Sequence, residues 1–293
     1  MQAQQIDSQV QKDDSLSDYH VKFISNFIYQ RSGIVLGESK KYLIESRLKS
    51  VARISGLRNL THLCDELSTN SRQLETLVLN ALTTNETSWF RDSKPFDTLV
   101  TKIFPQIKRN RSTQILQIWS AACSTGQEAF SIAMTILESG LFSDWHVRIV
   151  ATDISSNVLE QAEEGLYSQL EISRGLPIQF LVRYFSQIGD VWKIKPEVRK
   201  MVSFREHVLQ NDATALGTFD LVFCRNVLIY FDLETKGKIY DNICRTMPAS
   251  GLLALGGSET TLNITPLFEP IRMAGTAFYA RTNAKHSWKD LAD

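Results

Sequence analysis

Ile115-Leu116-Gln117-Ile118-Trp119-Ser120-Ala121-Ala122-Cys123-Ser124-Thr125-Gly126 is the stretch on which the fold turns. Ile115 to Trp119 reads as a short buried strand. Ser120 to Gly126 then supplies only small side chains. Gln127 to Leu137 has the apolar spacing of a helix, with Phe130, Ile132, Ala133, Ile136 and Leu137 on its buried side. A strand, a tight loop of small residues and a helix form the first unit of a doubly wound sheet, where backbone approaches a nucleotide closely.

The next strand, Val147 to Thr152, ends at Asp153. A carboxylate there suits the two ribose hydroxyls of an adenosine-containing ligand, because it accepts both hydrogen bonds. The alternative is that Asp153 caps a helix from Ser155 to Ala162. The loop holds only Gly126, so a pyrophosphate bed is poorly supported. An adenosine ligand without phosphate fits better, and S-adenosylmethionine is the candidate.

Two more stretches point the same way. Phe219-Asp220-Leu221-Val222-Phe223-Cys224-Arg225-Asn226-Val227-Leu228-Ile229-Tyr230-Phe231 opens as a central parallel strand, with Arg225 and Asn226 at its carboxyl end, where open α/β sheets bind ligands. Thr83-Thr84-Asn85-Glu86-Thr87-Ser88-Trp89-Phe90-Arg91-Asp92 crowds hydroxyls, an amide, two aromatics and an arginine into a segment without helical or strand period. That density suits a ligand-facing junction. It also suits a capped helix connection with Asn85 or Thr87 as N-cap.

These blocks resemble the chemotaxis receptor methyltransferases, the CheR family. The pattern Thr-Asn-x-Thr-x-Phe-Phe-Arg is met by Thr84, Asn85, Thr87, Phe90 and Arg91, with Trp89 at the first phenylalanine. Cys-Ser-x-Gly-x-Glu-x-x-Ser-x-Ala is met by Cys123, Ser124, Gly126, Glu128, Ser131 and Ala133, and the third block is met without a gap from Phe219 to Phe231. The match runs in order from about Phe27 to Tyr279. It implies a class I S-adenosylmethionine-dependent methyltransferase domain of α/β, doubly wound type, with a small antiparallel β-subdomain, preceded by an all-α N-terminal domain. It implies methyl transfer from S-adenosylmethionine to glutamate carboxylates of chemoreceptor cytoplasmic helices, leaving S-adenosylhomocysteine.

By the same resemblance Asn85, Thr87, Arg91, Glu128, Asp153, Val208, Leu209, Asn226 and Val227 line the cofactor, while Arg91 and Tyr230 act on the substrate carboxylate. Judged alone, Asn226 is also a strand terminator and Tyr230 a core tyrosine with a satisfied hydroxyl. Gln127, Ala129 and Phe130 stand where the family more often has Glu, Pro and Tyr, and Val208 where many relatives carry Asn. If that asparagine reads the adenine, backbone or His207 must replace it.

The chemistry stands without the family. A glutamate carboxylate is ionised at neutral pH and needs no general base. Anion and sulfonium lose charge as they react, so alignment and exclusion of water are the useful contributions. One bidentate cation suffices to orient the carboxylate, and Arg91 is the choice.

The organisation reads as a polar, disordered start at 1–18, a helical domain at 19–83 punctuated by Gly33 and Gly56, a connecting segment at 84–95 and a methyltransferase domain at 96–293. A β-subdomain is expected near 175–204, with a hairpin from Tyr184 to Ile194 turning at Gly189-Asp190. The resemblance implies that some members grip a carboxyl-terminal receptor peptide here through a glycine-rich loop, and with only Gly189 in its turn this chain is not expected to bind such a tether. Leu252 to Gly257 and Ala277 to Ala280 are the expected closing strands. In the helical domain, Lys40 to Ile54 reads as a helix with Leu43, Ile44, Leu48 and Val51 in its stripe. From Arg31 to Arg58 there are seven basic residues against two acids. Arg47 lies within the stripe, as a snorkelling arginine would. The resemblance gives Arg47 and Arg53 to recognition of the acidic receptor helices.

Composition narrows the classes further. With 32 basic and 32 acidic residues the net charge is zero, which supplies no field for nucleic acid. An amino methyltransferase would want an Asn-Pro-Pro-Tyr-like loop where the chain reads Arg225-Asn226-Val227-Leu228. Four distant cysteines and five scattered histidines give no metal spacing. With neither a signal-peptide pattern nor a bilayer-spanning run, direct membrane insertion is not expected and a cytoplasmic location is the default. The competing reading from another class is a catalytically weak cofactor-binding scaffold that docks on receptors.

Overall fold

The structure is a computed structural model, and it describes residues 15–69, 71–284 and 288–291. The chain divides into two compact units, Met1–Thr84 and Asn85–Asp293.

The first unit is helical: α1 Asp18–Ser32, α2 Lys41–Ile54, α3 Leu60–Ser68 and α4 Arg72–Leu82. Local chemistry sets the ends. The Ser17 side chain accepts from His20 N at the start of α1, and Asn59 Oδ1 accepts from His62 N at the start of α3. Ile44, Leu48 and Val51 of α2 are buried at helical spacing and pack with Ile24, Ile28, Leu63 and Val78 in one core. The expected polar start does not run to residue 18. Leu16 is buried in this core, its N–H and the Ser15 hydroxyl both donate to Glu45 Oε1, and Ser17 caps α1. Residues 1–14 of that segment lie outside the described residues.

The second unit opens with one helical run: α5 Lys94–Thr98, a π-helical turn Leu99–Ile103 and α6 Phe104–Asn110. Then follow β1 Ile115–Ala121, α7 Gln127–Ser139, β2 His146–Asp153, α8 Ser156–Glu164, β3 Leu166–Ser168, α9 Gln169–Ser173 and α10 Ile178–Tyr184. Next come β4 Phe185–Ile188, β5 Val191–Ile194, α11 Pro196–Arg199, β6 Val202–Glu206 and β7 Leu221–Cys224. The unit ends with α12 Leu233–Arg245, β8 Leu252–Leu255, β9 Phe268–Met273 and β10 Thr276–Arg281.

Among the described residues a seven-stranded sheet has the order β6-β2-β1-β7-β8-β10-β9. The first five are parallel, and β10 runs antiparallel to both β8 and β9. β1 and β7 are central and almost wholly buried, which explains their apolar runs. This is a doubly wound α/β arrangement, as the sequence led one to expect, with one antiparallel strand inserted next to the β9 edge. Its parallel strands end together, so the loops after β1, β2, β6 and β7 share one edge.

A separate antiparallel sheet has the order β3-β5-β4. Its hairpin turns at Gly189-Asp190 between β4 and β5. The expected bounds of 175–204 shift at both ends: β3 begins at Leu166, and Val202–Glu206 is the edge strand of the main sheet, paired with β2. The Trp89 end of the expected connector is tied here. Trp89 is fully buried, donates from Nε1 to Glu171 O, and meets Tyr167 and Phe185 edge-on. Its N–H donates to Arg174 O, and a Cβ on Gly175 would run into the Trp89 carbonyl. Trp89 therefore fastens the segment to the core, and from Asn85 onward that segment belongs to the second unit.

Candidate active site

The loop after β1 takes an unusual path. Ala122 and Ser124, both with side chains, have φ of 57° and 50°, a left-handed conformation that costs a non-glycine residue about 1–2 kcal/mol. Hydrogen bonds hold it there. Cys123 N donates to Thr152 O at 2.9 Å, and Ser124 N donates to Asp153 Oδ2 at 2.9 Å. Asp153 Oδ1 accepts from Ser155 N at 3.0 Å. Ser155, not Asp153, is the N-cap residue of α8, so the capping alternative for Asp153 fails. Burial pushes the Asp153 carboxyl above its ordinary range, against those backbone donors.

Asn85 and Arg91 join this edge through their main chains. The Ser124 hydroxyl donates to Asn85 O at 2.7 Å. Arg225, at the end of β7, donates from Nη2 to Arg91 O at 3.0 Å and to Asp92 Oδ2 at 2.8 Å. Its Nη1 pairs with Glu128 Oε2 at 3.3 Å, while Glu128 Oε1 accepts from the Ser120 hydroxyl at 2.8 Å. Burial raises the Glu128 carboxyl, and the Arg225 guanidinium pulls it back. Thus one buried arginine ties the 85–92 segment to β1, α7 and β7. The Arg91 side chain is half-buried, and among the described residues no carboxylate pairs with it. Asn85 and Thr87 cap no helix, since Ser93 precedes α5.

Beyond β7, Asn226 has a φ of 59°. Glu259 fixes this turn: its carboxylate accepts from Asn226 N at 2.7 Å, Val227 N at 2.9 Å, Leu228 N at 2.7 Å and Gly256 N at 2.7 Å. A Cβ on Gly256 would lie 2.7 Å from Glu259 Oε2 and 2.9 Å from Asn226 N, so only glycine fits. Tyr230 closes the following turn, half-buried, with its N–H donating to Val227 O at 3.1 Å. Arg225 and Glu259 brace this edge, a role that sequence reading did not assign to either. A buried run ending in arginine was the available signal for the first. For Glu259, a lone acid in Gly256-Gly257-Ser258-Glu259-Thr260-Thr261, there was none.

Val208 is half-buried and Leu209 buried after β6, where His207 N donates to Asp153 O at 2.9 Å. Burial lowers the His207 pKa, opposed by Asp212.

The orphaned groups test whether a ligand belongs here. Ser155 Oγ, His207 Nε2, Arg225 Nε and Asn226 Oδ1 are buried and lack partners among the described residues. They follow β2, β6 and β7, all at one edge of the sheet. Buried polar groups are rarely left unpaired without a reason, and an adenosine ligand offers donors and acceptors of the required kind. The residues present fit the group.

Residues 20–83 match the family described as "CheR methyltransferase, all-alpha domain", and residues 85–276 match "CheR methyltransferase, SAM binding domain". The chain belongs to the CheR methyltransferase family. S-adenosylmethionine is accordingly the cofactor, and this CheR chain is an enzyme of the methyltransferase class. Relatives agree across their length. A "Chemotaxis protein methyltransferase" of Vibrio parahaemolyticus is 40% identical over 265 residues, covering 88% of this chain and 95% of the relative. "Chemotaxis protein methyltransferase 1" of Pseudomonas aeruginosa is 39% identical, covering 86% and 94%. The Escherichia coli "Chemotaxis protein methyltransferase" is 35% identical, covering 91% and 92%.

The two residues expected to meet a substrate in the CheR helical unit differ in setting. Arg53 is exposed. Arg47 is half-buried, and its Nη1 donates to Thr83 O at 2.7 Å and Ala81 O at 3.3 Å. It covers the free carbonyls at the end of α4, a stabilising role with a clear cause. Among the described residues no helix is long and apolar enough to cross a membrane, and no group of three side chains could hold a metal ion.

Proposed function

We propose that this chain methylates glutamate side chains on the cytoplasmic helices of chemoreceptors, acting in the cytoplasm and leaving glutamate methyl esters and S-adenosylhomocysteine. The observation that carries the reading is the pairing state of the site's charges. Glu128 is engaged by Ser120 and Arg225, and Asp153 by two backbone N–H groups, so neither acid is free to act as a base. Among the described residues no carboxylate pairs with Arg91, so its guanidinium is available to a substrate carboxylate. That pattern suits a nucleophile that is already an anion. The relatives' involvement in chemotaxis, which their names state, supplies the biological setting.

S-adenosylmethionine supplies an activated methyl on a sulfonium. The chain's own residues align the acceptor. Arg91 orients the glutamate carboxylate through a bidentate contact, and the Tyr230 hydroxyl lines its approach. Asp153 holds the ribose, while Glu128 lies near the amino-acid end with Asn85 and Thr87. Asn226, Val227, Val208 and Leu209 line the adenosine side, with His207 Nε2 free to take a hydrogen bond. Arg53, exposed on a basic helix, contacts the acidic receptor, and Arg47 supports that helix from behind.

The test is transfer of labelled methyl from S-adenosylmethionine to receptor-containing membranes. The expected label sits on the receptor and leaves as methanol in mild base. Base-stable label, or none on any receptor despite cofactor binding, would overturn the reading.

A further inference from the structure

An opening lies beside the site on the same edge of the sheet. It is a cleft of about 320 Å³ whose wall includes Asp92, Lys94, Arg225, Glu259, Arg272 and Gly275. The topology puts it there. β8 ends at Leu255, and β10 starts at Thr276 and runs antiparallel to β8, so the 256–257 segment and the β9–β10 turn meet at one end. Asp92 and Arg225 are shared with the site described above.

The charges in this cleft are unequal once their partners are taken into account. Glu259 is saturated by four backbone N–H groups. Asp92 and Arg225 neutralise each other, with Glu128 behind. Two exposed cations remain, Lys94 and Arg272, and among the described residues neither is paired with a carboxylate. Lys94 Nζ stands 3.6 Å from where a Cβ of Gly275 would be, an ordinary contact distance, so this ammonium lies beside the β9–β10 turn.

We infer that this cleft binds a second carboxylate of the substrate polypeptide, one that is not methylated, through Lys94 and Arg272. The inference rests on the glutamate-methylation reading and goes further by naming a specificity determinant. The chemistry favours dividing the two tasks. The reacting carboxylate loses its charge in the transition state, so cation pairing there beyond the single orienting Arg91 would raise the barrier. Affinity for an acidic substrate is better drawn from a carboxylate that keeps its charge, which binds ground state and transition state alike. Such uniform binding lowers KM and leaves kcat alone.

The experiment measures receptor methylation by the Lys94→Glu/Arg272→Glu double variant and by Lys94→Ala/Arg272→Ala, beside the wild type, with S-adenosylhomocysteine binding as the check on folding. The expected result is a rise in KM for receptor of about tenfold or more for the charge reversal, smaller for the alanines and shrinking with added salt. Maximal rate and cofactor affinity should stay at wild-type levels. An unchanged KM, or a loss confined to kcat, would overturn the inference. If the wild type itself forms no methyl ester, the functional reading fails separately. Binding of a glutamate-rich peptide then tests the cleft alone: tighter binding to wild type than to the reversal supports it, and equal binding overturns it.

Discussion

The loops after β1 and β7 solve one problem with different parts. Each bends through left-handed residues that carry side chains, Ala122 and Ser124 in the first and Asn226 in the second. Each is pinned by a buried carboxylate that accepts backbone N–H groups. In the first loop the carboxylate is Asp153, from the end of the neighbouring strand, and it remains beside the ligand groups. In the second it is Glu259, from a loop beyond β8, and its oxygens are spent on four amides. The difference teaches that strain at a site is held by whichever acid the topology brings close. On the proposed reading one acid serves both fold and ligand, whereas the other serves the fold alone.

That contrast breaks most sharply at Glu259. In Glu259→Gln the amide nitrogen must face backbone donors, and each buried donor left unpaired costs about 1–3 kcal/mol. Receptor methylation should fall in kcat/KM by about 100-fold or more, roughly 2.7 kcal/mol, with loss of amide protection at residues 226–228 in hydrogen exchange. A variant with normal turnover would show that the second loop holds itself.

Asp153→Asn should have a smaller and more selective effect. It keeps an acceptor for one of Ser124 N and Ser155 N but loses the charge proposed for the ribose. Calorimetry should give cofactor affinity weakened by about 10- to 100-fold, with the fold intact. Loss of the fold with no separable change in affinity would make Asp153 purely structural, and the two loops alike.

His207, after the edge strand β6 and bonded through its N–H to Asp153 O, gives the mildest test. Burial holds its pKa below the ordinary 6.5, so the neutral ring is the native form. The stability it contributes is complete above that value and is lost as pH falls through the lower folded pKa. Thermal melts of the wild type should therefore decline more steeply below pH 6.5 than those of His207→Gln. Parallel curves would remove His207 from the account.

Much of this was legible in the chain. β1 and β7 are long apolar runs, and the small residues between Ser120 and Gly126 announce close backbone approach, so the sheet and its binding edge follow from patterning. β9 escaped because Pro270 interrupts it and its burial alternates, as an edge strand allows. Leu16 escaped because one apolar residue in a polar stretch carries no period. Trp89 looked ligand-facing because its neighbours are polar, whereas its partners Glu171, Tyr167 and Phe185 lie far along the chain. Arg47 shows that position in a stripe does not settle a role, since its guanidinium reaches carbonyls of α4 that only folding brings near. Glu259 is the extreme case: three of its four carboxylate hydrogen bonds come from Asn226, Val227 and Leu228, far back along the chain, and local sequence holds no trace of them.

The central claim is that the site aligns an anionic nucleophile through the Arg91 guanidinium and uses no base. The most direct measurement is transfer of labelled methyl to receptor membranes by Arg91→Ala, with S-adenosylhomocysteine affinity measured on the same preparation. Base-labile transfer should fall by about 100-fold while cofactor affinity stays within about threefold of wild type. Transfer at the wild-type rate, or a loss explained wholly by weaker cofactor binding, would contradict it.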